Sequence, residues 1–256
     1  MAFGIYEIQI FVMYPILIVA FLFVGYRVYK RNPGQRINAY FALFFAIIGG
    51  SLIPNVIYLV KVGGEFIVPD ATYLVLNNSI NLAVNWAWIL LLNFVMIVKL
   101  SEAEFDTKKQ VLFIVVYSVV EAVLFLLGYY GGIKPKYYVG DTALPLGQTA
   151  TGDDVVRKPF WELTYGGYGI VTITLMAAIV VLQSVLIFRK FQDPAVKRRF
   201  SLFIVGLCVL YYLGLGNYLA NTELLGESFR TVHSYLTLLI IPDAWLMYAG
   251  VGKEID

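Results

Sequence analysis

Asp243 and Glu121 are acids set deep in apolar stretches, "IIPDAWLMYAG" (240–250) and "VVEAVLF" (119–125). An ionisable side chain in hydrocarbon costs at least a few kcal/mol, so it is expected only where it faces a bundle interior, a water-filled cavity or a proton path. Pro242 precedes Asp243; it lacks a backbone donor and frees the carbonyl four residues earlier, which predicts a kink. Asp243 is therefore expected to face inward, toward the third and sixth apolar segments, with an asparagine or tyrosine as its partner. Glu7 lies near the start of the first segment, within reach of water.

Asparagines supply the partners. Asn78, Asn81 and Asn85 recur at spacings of three and four, and Asn93 falls near the same helical face. Asn217 and Asn221 sit on the sixth segment and Asn55 beside Pro54 on the second. Two readings stay open: hydrogen-bonded glue between helices, worth about 0.6–2 kcal/mol per contact, or a polar ligand pocket. In the pocket reading the ligand-binding candidates are Asn78, Asn81, Asn85, Trp88, Asn217 and Asp243. Glu121, His233 and Pro242 are the switching or proton-linked candidates. His233 suits either an interfacial hydrogen bond or a pH sensor, since free histidine titrates near about 6.5.

The same inventory excludes chemistry. One histidine cannot form a bis-histidine haem site, and one cysteine, Cys208, makes neither a disulfide nor a cysteine metal centre. No phosphate-binding glycine loop, nucleophile elbow or zinc-protease motif occurs. An enzyme, a metal and a nucleic-acid partner are not expected; a net charge of +2 is too small for the last.

The elements that must hold these residues are apolar helices. The 256-residue chain is 60% hydrophobic and 14% charged, against about 25% charged in soluble domains. About 20 apolar residues cross a bilayer. Seven such stretches are present, at 5–26, 37–60, 71–98, 110–130, 164–188, 200–220 and 230–251. The expected fold is an all-α seven-transmembrane helix bundle, one domain over 1–256, in the cytoplasmic (inner) membrane. The third stretch starts weakly, at Asn77, Asn78 and Ser79. The first is too long for a cleaved leader and has no basic residue ahead of it.

Lysine and arginine set the orientation. Arg27, Lys30, Arg31, Arg36, Lys99, Lys108, Lys109, Arg189, Lys190, Lys197, Arg198, Arg199 and Lys253 fall on one side. Lys61, Lys134, Lys136, Arg157, Lys158 and Arg230 fall on the other. The richer side is cytoplasmic, which places the N-terminus outside and the C-terminus inside. Loop 131–163 is then external, either a short hairpin or a segment lying on the membrane. Tyr129, Tyr130, Tyr137, Tyr138, Trp161 and Tyr165 read as an interfacial belt, with a ligand lid as the alternative. Gly49–Gly50, Gly166–Gly167 with Gly169, and Gly214 with Gly216 read as close helix contacts.

"YRVYKRNPGQR" (26–36) and "FRKFQDPAVKRR" (188–199) echo each other as basic turns after the first and fifth spans. Such an echo fits a three-plus-one-plus-three duplication, or simply two turns with the same needs. "VNWAW" in span three and the acid in span seven are similar to microbial rhodopsins. Those carry retinal on a lysine one turn after the acid; here that position is Met247 and the span has no lysine, which excludes a retinal Schiff base. Non-covalent lipid or pigment is compatible.

"KRNPGQRINAYFALFFAIIGG", "KPFWELTYGGYGIVTITLMAAIVVL", "FRKFQDPAVKRRF", "LGNYLANTELLG" and the closing "LMYAG" resemble the seven-transmembrane sensory region of prokaryotic histidine kinases. The resemblance implies a receptor that receives a ligand on the extracytoplasmic side. Family members continue into dimerising and catalytic segments, whereas this sequence stops at Asp256, so signalling to an effector in trans through the basic inner loops is expected. The alternatives are an accessory subunit or oligomer within a larger membrane complex, and a small-solute transporter.

Overall fold

The structure is a computed structural model that describes residues 9–58, 60–140, 142–152 and 154–251. Glu7 and Lys253 lie outside the described residues. After a π-helical turn at Gln9–Met13 come α1 (Tyr14–Arg31), α2 (Arg36–Ser51) and the short α3 (Ile53–Ile57). A two-stranded ribbon, β1 (Lys61–Val62) and β2 (Glu65–Phe66), leads to α4 (Asp70–Glu104) and α5 (Thr107–Leu127). Then come β3 (Ile133–Val139), β4 (Thr142–Ala143) and β5 (Val155–Trp161). The chain closes with α6 (Leu163–Lys190), α7 (Pro194–Asn221), α8 (Gly226–Leu236) and α9 (Ile240–Val251).

Six helical segments are long and apolar enough to cross a membrane, and a seventh crossing is made if α8 and α9 count as one. A helix this apolar on every face has no aqueous solution as a free element, and the protein is membrane-embedded. The central helix is α4: 72% of its most apolar window is buried, against 22% for the window in α5. Around it α1 packs on α2, α2 on α4, α4 on α6, α6 on α7, α7 on α9, and α9 returns to α1, while α5 leans on α4 and α6 from outside.

Three expectations change. Asn77, Asn78 and Ser79 do not weaken the third helix, which runs through them from Asp70 and kinks only near its far end, at Ser101 (φ 71°), because Asn77 and Asn78 are buried against neighbouring elements. The seventh stretch is two helices bent by 48°, separated by a 3-10 turn at Thr237–Leu239. Pro242 falls in the first turn of α9, where a missing N–H costs nothing, so the break sits ahead of the proline rather than at it. The bundle is also not wholly α.

Loop 131–163 contains an antiparallel sheet in the order β4-β3-β5, registered from Ile133 opposite Trp161 to Val139 opposite Val155. Its strands are rich in valine and aromatics, and in β5 Val155, Arg157 and Trp161 point inward at even spacing. The belt reading therefore divides. Tyr129 and Tyr130 are exposed, but Tyr137, Tyr138, Trp161 and Tyr165 are buried in protein and are not lipid-facing anchors.

Both β-units share one end of the bundle, where the Gly152 amide donates to the Gly64 carbonyl at 2.9 Å. Arg157 ties them down. It donates to the Val68 and Tyr58 carbonyls at 2.9 and 2.8 Å, pairs with Asp70 at 2.8 Å, and lies over the Phe66 and Tyr73 rings. The Tyr137 hydroxyl also donates to Asp70, and burial together with that carboxylate pushes its phenol up to about 12. The opposite end carries the basic turns. There Asp106 caps α5 by accepting from the Lys109 amide at 3.0 Å, a bond that holds its carboxyl below the usual range. Asp193 caps α7 through the Ala195 amide at 2.7 Å, with Pro194 in the first turn.

Candidate functional site

The half of the bundle under the sheet holds a cavity of about 230 Å³. One wall is α4, which presents Asn77, Asn81, Asn85 and Trp88 at spacings of four, four and three, one helical stripe. Facing it, α7 presents Asn217, Tyr218 and Asn221. The roof is Lys158, Pro159 and Trp161 of β5 with Arg230 and His233 of α8, and Thr237 and Ile240 border it at the α8–α9 break. The floor is apolar: Leu17, Ile48, Ile80, Val84, Ile173, Leu210 and Leu213.

Hydrogen bonds fix this lining. Asn85 Nδ2 donates to the Tyr218 hydroxyl at 2.6 Å, and the Tyr117 hydroxyl donates to the Asn85 carbonyl at 3.1 Å. Asn77 Oδ1 accepts from Asn81 Nδ2 and from the Trp161 indole N–H, at 3.3 and 3.2 Å. Asn221 Nδ2 donates to Asn217 Oδ1 at 2.9 Å, and Arg230 donates to Asn221 Oδ1 at 3.1 Å and to the Pro159 carbonyl at 2.9 Å. Two glycines admit the large side chains. A Cβ on Gly169 would stand 1.9 Å from the Tyr218 ring, and one on Gly216 would stand 2.4 Å from the His233 ring.

His233 differs from its neighbours. It is 3% exposed, borders the cavity, and neither ring nitrogen has a hydrogen bond. A neutral imidazole carries one donor and one acceptor, so two polar needs are left open beside the cavity wall. Above it, Lys136 pairs with Glu223 at 2.6 Å, and Arg230 lies 3.5 Å from the same carboxylate. Tyr138 donates to Glu227 in this cluster.

Of the residues singled out in the sequence, Asn55, Asn81, Asn85, Trp88, Asn217, Asn221 and His233 line this one cavity. Asn78 turns away: its amide donates to the Phe125 carbonyl of α5 at 2.8 Å and accepts from the Tyr165 hydroxyl at 3.3 Å, which is helix-to-helix glue. Asn93 bonds back to the Ile89 carbonyl of its own helix. Asp243 is buried beside Gly206 of α7, one of the two segments it was expected to face, but the expected asparagine or tyrosine partner is absent and both carboxyl oxygens lack hydrogen bonds. It does not border the cavity.

Glu121 is also fully buried without a hydrogen bond, close to Tyr117 and Asn85. It borders a separate groove between α2, α4 and α5 that includes Trp86 and Ser118. Pro242 stands just past the α8–α9 break. Among the described residues no three His, Cys, Asp or Glu side chains gather as a metal site.

Sequence reasoning did not single out Asn77, Tyr218 or Arg230 for the site, and it offered Trp161 there only through the lid alternative to the belt. Asn77 was legible, because it completes the spacing 77, 81, 85; the others depend on the sheet folding back over the bundle. The sequence matches no protein-family model and no curated protein.

Proposed function

We propose that this is a seven-span membrane receptor, N-terminus outside and C-terminus in the cytoplasm. It binds a ligand in the cavity beneath the sheet and signals to an effector in trans. The observation that carries the reading is the cavity itself: an asparagine-lined chamber with a buried histidine that lacks a hydrogen bond, placed against the bent α8–α9 pair. Ligand pockets take this form, mostly apolar with a few convergent polar groups. The resemblance to histidine-kinase sensory regions supports the same assignment, as does the excess of lysine and arginine on the loops opposite the sheet. The membrane would be the cytoplasmic one of a prokaryote.

Signalling follows from the α8–α9 break. Arg230, His233 and Thr237 touch the cavity from one side of the bend, while Asp243 on the other side is buried without a partner. A ligand that pulls on α8 favours one of two packings of α9 against α7, and an unsatisfied buried carboxyl is the strain such a two-state element stores. The bend would transmit occupancy to the basic loops. A broken helix beside a polar chamber also suits a small-solute transporter.

Thermal-shift screening of the protein in nanodiscs against small water-soluble compounds tests the reading. A ligand is expected whose stabilisation is lost in Asn81→Leu and Val84→Phe but kept in Tyr130→Phe. Equal stabilisation of all three variants would reject the cavity as a site. Counterflow of that ligand in liposomes would make the protein a transporter, and stoichiometric co-purification with an enzyme, without any ligand effect, would make it an accessory subunit.

A further inference from the structure

The chemistry of the cavity narrows its ligand. Arg230 and Lys158 are the charged residues on its lining; among the described residues no aspartate or glutamate borders it. Glu223 and Glu227 are held by Lys136 and Arg230 in the cluster above, outside the chamber wall. Arg230 is 3.5 Å from Glu223 and 4.0 Å from Glu227, so these carboxylates offset its charge in part; among the described residues the group holds three cations, Lys136, Lys158 and Arg230, to two carboxylates, and it favours an anionic head over a cationic one. The amides of Asn217 and Asn221 stand beside them.

His233 adds a geometric demand. Its ring is buried, borders the chamber, and has neither its donor nor its acceptor hydrogen-bonded. A carboxyl group satisfies an imidazole in either protonation state, because its oxygens accept and its protonated form donates. Below this polar roof Trp88, Val84, Leu210 and Leu213 offer apolar surface to a hydrocarbon body.

We propose that the cavity takes a monocarboxylate with a medium-length apolar chain, its carboxyl at Arg230, Lys158 and His233 and its chain against Trp88 and Leu213. The proposal rests on the receptor reading above and names the ligand class of the same site. The carboxylate can come from solution or from the bilayer; the shared chemistry is a carboxyl head on a hydrocarbon tail.

The test uses octanoate, octanol and octylammonium, three probes with one chain and different heads, on the full chain in nanodiscs. Octanoate is expected to raise the unfolding temperature most and octylammonium least. His233→Leu, and separately Lys158→Gln, should weaken octanoate at least about tenfold, and Val84→Phe should abolish its effect. Two variants guard against a folding failure in either one. If octanol or octylammonium gives the larger shift that is sensitive to Val84→Phe, the carboxylate class is overturned while the cavity remains a ligand site. An octanoate shift that survives His233→Leu, Lys158→Gln and Val84→Phe alike means binding elsewhere and overturns the proposal. No shift from any probe overturns the class, and the broader screen then decides the receptor reading by itself. A carboxylic amphiphile co-extracted with the purified protein and lost in Val84→Phe identifies the bilayer as source; octanoate binding to protein free of such an extract identifies solution.

Discussion

The two halves of the bundle are built on opposite plans. Away from the sheet, the core is phenylalanine: Phe41 stacks on Phe94 with centroids 4.7 Å apart, and Phe203 lies 5.6 Å from Phe94 and 5.4 Å from Phe200. Under the sheet, the same helices carry asparagine and enclose a chamber. Charge divides in the same way. The sheet end sets its cations against carboxylates, Lys134 with Glu162, Lys136 with Glu223, and Arg157 with Asp70. At the other end Arg31 donates to the Tyr248 hydroxyl and lies over its ring, Lys197 lies over Phe188, and Lys99 donates to Gln183. Among the described residues those charges have rings and amides in place of carboxylates, which suits a surface offered to lipid phosphates or a partner, whereas the paired end is a closed cap. The difference assigns rigidity to one half and adaptability to the other.

Removing a ring from the rigid half should have the largest effect. Phe94→Ala leaves a void in a region with no slack, and a loss of about 3–5 kcal/mol is expected in reversible unfolding. Val84→Ala, at the wall of the existing chamber, should cost clearly less; similar losses would erase the contrast between the halves. In the cap, Arg157→Gln strips Asp70, two carbonyls and two rings of one shared partner. A loss of about 3 kcal/mol is expected, with faster protease cleavage between 140 and 152. An unchanged cleavage rate would mean that the sheet is held by something other than this guanidinium.

The smallest effect has the opposite sign. Asp243 has two buried oxygens without partners, so Asp243→Leu strands nothing and removes an unmet polar demand. Stability should rise, by about 1–3 kcal/mol, while ligand response falls because the α8–α9 element loses its second packing. Destabilisation would reveal a hydrogen-bonded Asp243.

Much of the helical architecture was legible in the sequence, because bilayer thickness fixes the length of an apolar helix. Asn81, Asn85 and Asn217 could be picked out because an amide in hydrocarbon needs a reason. The split of the last span was only half visible: Pro242 announces a break, but Thr237–Leu239 takes it, since a proline is comfortable in a first helical turn. The roof was not legible. Trp161 and Arg230 look like ordinary interfacial residues until Arg157 folds the sheet over the chamber, a long-range pairing that no local spacing encodes. Asp243's missing partner was equally hidden, because depth predicts burial and says nothing of which side chain arrives beside it.

In the proposed receptor the sheet end faces outward, where a ligand would reach the chamber, and the basic end faces the cytoplasm. Cysteine labelling in intact cells tests this directly, in a Cys208→Ser background, with Leu146→Cys in the sheet loop and Ala103→Cys at the opposite end. Leu146→Cys should react with a membrane-impermeant maleimide in intact cells, and Ala103→Cys only after permeabilisation. The reverse pattern would turn the receptor over in the membrane and contradict the proposed direction of signalling.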